Sequence, residues 1–151
     1  MEFIMFMIPN VYQPQTPADE QAGEDFTPPA EAVEAMTKFN EELAKAGALV
    51  ALDGLHPPAK GARVSFEGKT PSVTDGPFAE AKEVIGGYWV IDVNSKEEAV
   101  EWATKCPAAE GDAIEIRQVF EEEDFPEDVR EAADNPVVKE AVKGGKVNRN
   151  L

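Results

Sequence analysis

A single histidine and one aspartate in a tight turn are the first candidates for catalysis in this chain. His56 is the only histidine, so acid–base chemistry near neutral pH would depend first on it. Asp75 could orient that imidazole or bind a substrate hydroxyl, as an aspartate does in triad-like sites. Each residue also has a simpler interpretation. His56 precedes Pro57 and could be a surface or hinge residue, and Asp75 could only bond the amides of its own turn.

Two arginines and three aromatic residues could bind a ligand. Arg63 and Arg117 fall on predicted strands, where a guanidinium could clamp a carboxylate with two hydrogen bonds. A cross-strand ion pair would explain them equally well. The aromatic residues could stack on a flat ligand or simply belong to the core, and they are Phe78, Tyr88 and Trp89. The turn also carries charges that would form a polar rim or a solvated flank, and these are Glu80, Lys82 and Glu83.

Metal and cofactor sites are not indicated. Asp53, His56 and Asp75 would supply at most three mixed ligands, and no zinc-ligand spacing occurs. Gly86 and Gly87 lie within a predicted strand, so they do not form the glycine-rich loop that opens a helix and holds phosphate. We therefore expect no cofactor and no metal.

The lone cysteine is expected to be inert. Cys106 precedes Pro107 at a predicted helix end, and its only basic neighbour is Lys105. A buried thiol is therefore a better interpretation than a nucleophile. One cysteine also excludes an intramolecular disulfide, which favours a cytoplasmic protein.

Length and charge limit the classes of partner. The 151 residues suit a single core, and a net charge of −16 repels phosphate backbones and anionic membranes. Nucleic acid and membranes are therefore not expected as partners. The apolar residues 1–8 carry an acid, stop at Pro9 and are too short to span a bilayer, so they predict a buried first strand.

The candidate residues must be positioned by alternating strands and helices. A surface loop is expected over residues 14–29, and a helix over 30–46 would bury one face that carries Val33, Met36, Asn40, Leu43 and Gly47. Strands are then predicted at 48–52, at 62–66 as a half-buried strand, at 70–74 as a short return, at 84–93 and at 114–119.

Two further local signals frame the longest strand. Gly86-Gly87 predicts a bulge or a close backbone approach, and Trp89, Ile91 and Val93 share one side of the strand. A capping box from Ser95 to Glu98 then starts a helix. Its buried stripe is Ala99, Trp102, Ala103 and Cys106.

This order predicts an α+β fold, a ferredoxin-like split βαβ arrangement with an antiparallel sheet and an extra hairpin. Helices on one face would leave the other face in need of cover, and a second copy of the chain is the simplest cover. We expect a domain over residues 1–120 and an acidic, partly helical extension over 121–151. The extension would lie over a partner subunit or remain mobile.

Several short motifs together resemble the DGPF-type members of the YCII-related family over about residues 3–120. They are Asp53-Gly54-Leu55-His56-Pro57, Thr74-Asp75-Gly76-Pro77-Phe78-Ala79-Glu80, Lys82-Glu83 with Gly87-Tyr88, Ile91-Asp92-Val93, and Glu98-Ala99-Val100-Glu101-Trp102-Ala103 with Pro107. The resemblance implies a dimeric α/β barrel, in which two ferredoxin-like protomers pack sheet to sheet around a central cavity. Some members of the family look like hydrolytic or lyase-type enzymes, many have no assigned reaction, and some are encoded beside extracytoplasmic sigma factors.

The chain departs from the shorter YCII-type pattern at both positions of the proposed catalytic pair. The predicted first helix contains no histidine, and Cys106-Pro107 stands where those proteins have Asp-Pro. That pair therefore cannot be transferred to this chain.

These features of the sequence predict one of two alternative functions. The first is a cytoplasmic homodimer that binds an unknown small molecule, or serves in stress-related regulation, without catalysis. The alternative is a small-molecule enzyme of hydrolase, lyase or isomerase type, in which His56 acts as acid or base, Asp75 orients it and an arginine binds an anion.

Overall fold

The computed structural model describes residues 1–78 and 83–147. Its strands are β1 (Glu2–Ile8), β2 (Leu49–Gly54), β3 (Ala62–Ser65), β4 (Ser72–Asp75), β5 (Gly87–Asp92) and β6 (Ala113–Gln118). Its helices are α1 (Ala30–Lys45), α2 (Lys96–Thr104), α3 (Glu127–Ala133) and α4 (Pro136–Val147). Single 3-10 turns lie at Asn10–Tyr12, Pro58–Lys60 and Glu122–Asp124.

The main sheet has the strand order β2-β5-β1-β6, and all of its neighbouring strands are antiparallel. This is the order of a ferredoxin-like α+β fold, so the predicted fold class is confirmed. The hairpin β3-β4 forms a separate two-stranded sheet, inserted between β2 and β5.

The core lies between the sheet and the helices α1 and α2. Phe3 and Met5 of β1 pair with Ile91 and Trp89 of β5, and all four are buried together with Leu43 of α1. The Phe39 ring meets the indoles of α2 and β5 edge to face, 6.5 Å from Trp102 and 5.7 Å from Trp89. This layer excludes water from one face of the sheet.

The buried face of α1 differs from the prediction at three positions, one of which, Gly47, lies beyond the end of the helix and is exposed. Leu43 is buried and Met36 packs against the core, as expected, but Val33 is 47% exposed. Phe39, which the predicted face omitted, is 4% exposed. The face is rotated toward Phe39 because its large ring fills the space between two tryptophans.

The start of α2 and its buried stripe are confirmed. The Ser95 hydroxyl accepts a hydrogen bond from the Glu98 amide at 3.1 Å, and the Glu98 carboxylate accepts one from the Asn94 amide at 2.8 Å. Ala99 is fully buried, and Trp102 and Cys106 pack against the core. The cap therefore fixes both where the helix begins and which face it buries.

The strand predicted at residues 62–66 is not half-buried. Val64 is 50% exposed and Phe66 is 79% exposed, because β3 pairs only with β4 and no layer lies over the hairpin. Val73 lies opposite Val64 and is also exposed. The alternation of apolar residues thus correctly indicated a strand and wrongly indicated its burial.

The glycine pair produces a close approach of backbones. A Cβ atom at Gly87 would lie 3.0 Å from the Asp53 carbonyl oxygen, and one at Gly86 would lie 2.5 Å from the Pro9 ring. The register shift in this region is in β2 instead, between Leu49 and Ala51. Of the two predicted alternatives, the structure therefore supports close approach at these positions.

The chain after residue 121 is helical but buries little. Each residue from 126 to 142 is exposed, including Val137 at 78%. The Glu121 carboxylate accepts a hydrogen bond from the Glu2 amide at 3.1 Å, which ties the start of this segment to β1. In the part of the chain that the structure describes, no helix is both long and apolar enough to cross a bilayer.

Candidate functional site

The face of the sheet opposite the helices carries a patch of apolar side chains, which we call the open face. Because side chains alternate along a strand, the neighbours of the core residues point to this side. Ile4 pairs with Val90, and Val90 pairs with Ala51, so these three form a row across the sheet. All three and Phe6 are half-buried. The open face is therefore apolar at its centre.

A short hydrogen bond joins two polar residues of the open face. Tyr88 on β5 lies opposite Asp53 on β2, and its phenol donates to the Asp53 carboxylate at 2.6 Å. Hydrogen bonds from a hydroxyl to a carboxylate are short and strong. The pair holds both groups in fixed positions, where they could receive the polar groups of a ligand.

Arg117 lies at the far edge of the open face. It sits on the edge strand β6 opposite Ile4, and its guanidinium is 3.6 Å from the Glu115 carboxylate of the same strand. Both side chains are exposed. The arginine is therefore in an ion pair, although within one strand and not across two as the alternative interpretation expected.

The Gly76-Pro77 corner packs directly on the turn that follows β2. The Gly76 amide donates to the Gly61 carbonyl at 2.9 Å. A Cβ atom at Gly76 would lie 2.6 Å from the carbonyl carbon of Pro58, and closer still to its oxygen. Only glycine allows this approach, so the residue type at position 76 fixes where the following residues lie.

Beside this corner lies a pocket of about 370 Å³, which we call the corner pocket. Its described walls come from the loop after β1, the turn after β2, the corner itself and Val84 before β5. Two aromatic rings and several prolines dominate it, and these are Tyr12, Phe78, Pro14, Pro57, Pro58 and Pro77.

The loop after β1 is fixed to the other side of the pocket by a buried side-chain amide. Gln13 is 3% exposed and lies 71 residues from Val84. Its side chain donates to the Val84 carbonyl and accepts from the Val84 amide, both at 2.8 Å, and it also donates to Pro9 at 2.6 Å. The amide thus pairs with the backbone groups of Val84 as a neighbouring strand would, and it holds the loop to a residue that lines the pocket.

Two further contacts orient the aromatic walls. The Tyr12 phenol donates to the Leu55 carbonyl at 2.9 Å, and burial raises the pKa of this phenol above its ordinary value. The Arg63 guanidinium lies 4.6 Å from the centre of the Phe78 ring, which is a cation–π contact. Arg63 therefore supports a pocket wall in this structure.

His56 and Asp75 lie on the two segments that meet at the contact between Pro58 and Gly76. Both side chains are exposed. Across residues 1–78 and 83–147, no hydrogen bond or ion pair joins them. Their pairing as catalytic groups stays a prediction.

Trp89 and Cys106 belong to the core side of the sheet. The Trp89 side chain is 5% exposed, and its indole N–H donates to Asn40 at 2.8 Å. Burial raises the pKa of the Cys106 thiol to about 11, and nearby Asp112 adds to the shift, so the thiol stays protonated at neutral pH. Ligand binding by Trp89 stays a prediction, and the residue belongs to the core cluster.

Three residues at these sites were not predicted, or were predicted in another role. The sequence indicates Asp53 as a possible metal ligand only, and no sequence pattern indicates a role for Tyr12 or Gln13. Tyr12 and Gln13 carry no local signal, because their contacts depend on segments far along the chain. The predicted rim residues Glu80 and Lys82 fall outside the described residues, whereas Glu83 is exposed.

Among the described residues, no group of three or more His, Cys, Asp or Glu side chains is placed so that it could hold a metal ion. Comparison with known proteins gives one family. The sequence model of the YCII-related domain matches residues 5–123, which include the whole corner pocket and all of the open face except Ile4. No curated protein matches the chain.

Proposed function

The chain belongs to the YCII-related domain family, and from that premise we propose that it is a cytoplasmic homodimer that binds a small molecule between its two sheets. The open face is the single observation that carries the proposal. Its row of Ile4, Val90 and Ala51 is half-buried in one chain and lies on the side of the sheet opposite the core, which packs against α1 and α2. Covering such a face removes apolar surface from water, which favours association.

A second copy of the open face is a cover of matching chemistry. Two-fold symmetry would place the apolar centre of one sheet against that of the other, with the polar edges outside. The Tyr88–Asp53 pair lies beside the apolar row, so each protomer would contribute one pair to the space between the sheets. A ligand there would meet apolar walls and fixed hydrogen-bonding groups, as small-molecule sites usually provide.

The oligomeric state tests the interface. We expect a dimer by light scattering after gel filtration, and a monomer for Val90→Asp, which places a charge at the centre of the open face. Val33→Asp is the matched control, because Val33 is an exposed valine of α1 on the helical side. Circular dichroism must show that both variants fold. A monomeric parent protein, or equal behaviour of the two variants, would overturn the proposed dimer.

Native mass spectrometry of the purified protein tests for the ligand. We expect a bound small molecule that is retained by the parent and lost from Tyr88→Phe, which removes the phenol but keeps the ring. Phe66→Leu is the control, because it changes an exposed aromatic residue next to the hairpin, away from the open face, and should retain the ligand. Retention of the ligand by Tyr88→Phe would argue against this site.

The alternative is an acid–base enzyme that uses His56 and Asp75. One observation favours it, which is that their segments meet at the Pro58–Gly76 contact. If the alternative holds, His56→Ala abolishes turnover of the molecule found by mass spectrometry while leaving its affinity unchanged. If the binding function holds, neither the parent protein nor His56→Ala turns the molecule over, and both bind it with equal affinity.

A further inference from the structure

The corner pocket has the shape and polarity of a second binding site, and we infer that it takes a small aromatic molecule that carries a protonated amine. The inference goes beyond the proposed dimer and does not depend on it. Every wall of the pocket comes from one chain, and the residues of the Tyr88–Asp53 pair do not line it.

The pocket is formed before any ligand arrives. Pro57, Pro58 and Pro77 each have a fixed φ angle, so their part of the wall has little freedom to lose. On the opposite side, the buried Gln13 amide holds the loop to Val84 with a pair of hydrogen bonds. A preformed site loses less conformational entropy when it binds.

The size and the rings of the pocket favour a small aromatic ligand. A volume of about 370 Å³ lies near the lower end of the range for small-molecule sites. Tyr12 and Phe78 are both wall residues, and aromatic rings pair with such walls in offset or edge-on arrangements. A molecule with one or two rings therefore suits the space better than an extended chain.

Among the described lining residues, the Gln21 amide N–H already donates to the Thr16 carbonyl, and the side-chain groups left for a ligand are acceptors or negatively charged. Among the described lining residues, Glu24 is the only one with a charged side chain. The Tyr12 phenol already donates its proton to Leu55, so its oxygen is left to accept a bond. An ammonium group would satisfy both, whereas a carboxylate would be repelled by Glu24 and by the net charge of −16.

Two probes with the same ring and opposite charge test the inference in the full-length protein. They are 2-phenylethylamine and 3-phenylpropionate, titrated at millimolar concentration while amide shifts are followed by ¹H–¹⁵N NMR. We expect the amine to shift the amides of Val11, Ala22 and Val84, which line the pocket. The acid should bind more weakly.

Matched variants separate charge from shape. Glu24→Gln should weaken amine binding about two- to fivefold, the range for an exposed ion pair, and should leave the acid unaffected or bound more tightly. Glu20→Gln is the control, since Glu20 is an exposed acid of the same loop that does not line the pocket. Ala22→Trp should fill the pocket and abolish amine binding, whereas Ala18→Trp should not.

Distinct outcomes overturn distinct claims. Equal binding of amine and acid, or equal effects of Glu24→Gln and Glu20→Gln, would overturn the charge preference. Shifts that map away from the pocket, or no shift with either probe, would overturn the site itself. The proposed dimer is judged separately, by light scattering on Val90→Asp, so its failure would leave this result standing.

Discussion

Replacing Gly76 with alanine should destabilise the protein by about 1.5–4.5 kcal/mol. The new Cβ atom would lie 2.6 Å from the Pro58 carbonyl carbon, whereas real Cβ contacts are essentially never shorter than 3.0 Å. The obstacle is backbone, so no side chain can rotate away, and the corner must move off the turn at Pro58–Lys60. Overpacking of this kind costs about 1–3 kcal/mol. Loss of the hydrogen bond from Gly76 to Gly61 adds about 0.5–1.5 kcal/mol.

Urea and thermal denaturation measure this change. For a chain of this size the loss corresponds to a melting temperature lower by roughly 5–15 °C. Gly54→Ala is the control, because a Cβ there meets nothing within 4 Å, and it should change stability by less than about 0.5 kcal/mol. Hydrogen exchange of the β3-β4 amides reports any opening confined to the hairpin. If Gly76→Ala matches Gly54→Ala in both stability and exchange, the steric reasoning is refuted.

Three other changes test buried polar groups and the thiol. Gln13→Leu should lower the free energy of unfolding, measured by urea denaturation, by about 1.5–4.5 kcal/mol. The substitution removes the hydrogen bonds to Val84 and Pro9 and leaves the Val84 amide and carbonyl without their partner. A loss no larger than that of exposed Gln15→Leu would contradict this. Trp89→Phe should cost about 1–3 kcal/mol, since it removes a buried hydrogen bond and leaves a gap beside the core, and an unchanged unfolding curve would contradict it. The folded state raises the pKa of Cys106 from 9.0 to about 11, so a thiol reagent should label it slowly at pH 8 and faster as the pH approaches 11. Because the thiol holds its proton to a higher pH in the folded state than in the unfolded state, its contribution to stability is complete below pH 9 and is lost between pH 9 and 11. Fast labelling of the folded protein at pH 8 would contradict the burial of Cys106.

The sequence predicts well those structural features that depend on residues close together along the chain. The cap at Ser95 and the alternation of Trp89, Ile91 and Val93 depend on neighbours within a few residues, and both agree with the structure. The face of α1 was less predictable, because Val33 and Phe39 both fit a helical period. The choice between them depends on two tryptophans from elsewhere in the chain.

The candidate sites are harder to predict from the sequence, because they depend on contacts between segments that are distant along the chain. Phe78 and Tyr88 are candidates for ligand binding because they are aromatic. No neighbouring residue in the sequence indicates that Tyr88 bonds to Asp53 or that Phe78 lines a pocket with Tyr12. Gln13 shows the difficulty most directly. It lies next to a proline-rich stretch that predicts a surface loop, yet it is buried by a partner 71 residues away.

The anchoring of the first loop also shows where the chain can be lengthened. The contacts of this loop end at Phe26, whose ring meets Tyr12 edge to face at 5.9 Å, and α1 begins at Ala30. Thr27 and Pro28 between them are exposed. Because the entropy of closing a loop rises only slowly with its length, a short epitope or fluorescent tag inserted between these two residues should leave both ends in place. Such an insertion would provide a reporter close to the corner pocket without altering its walls.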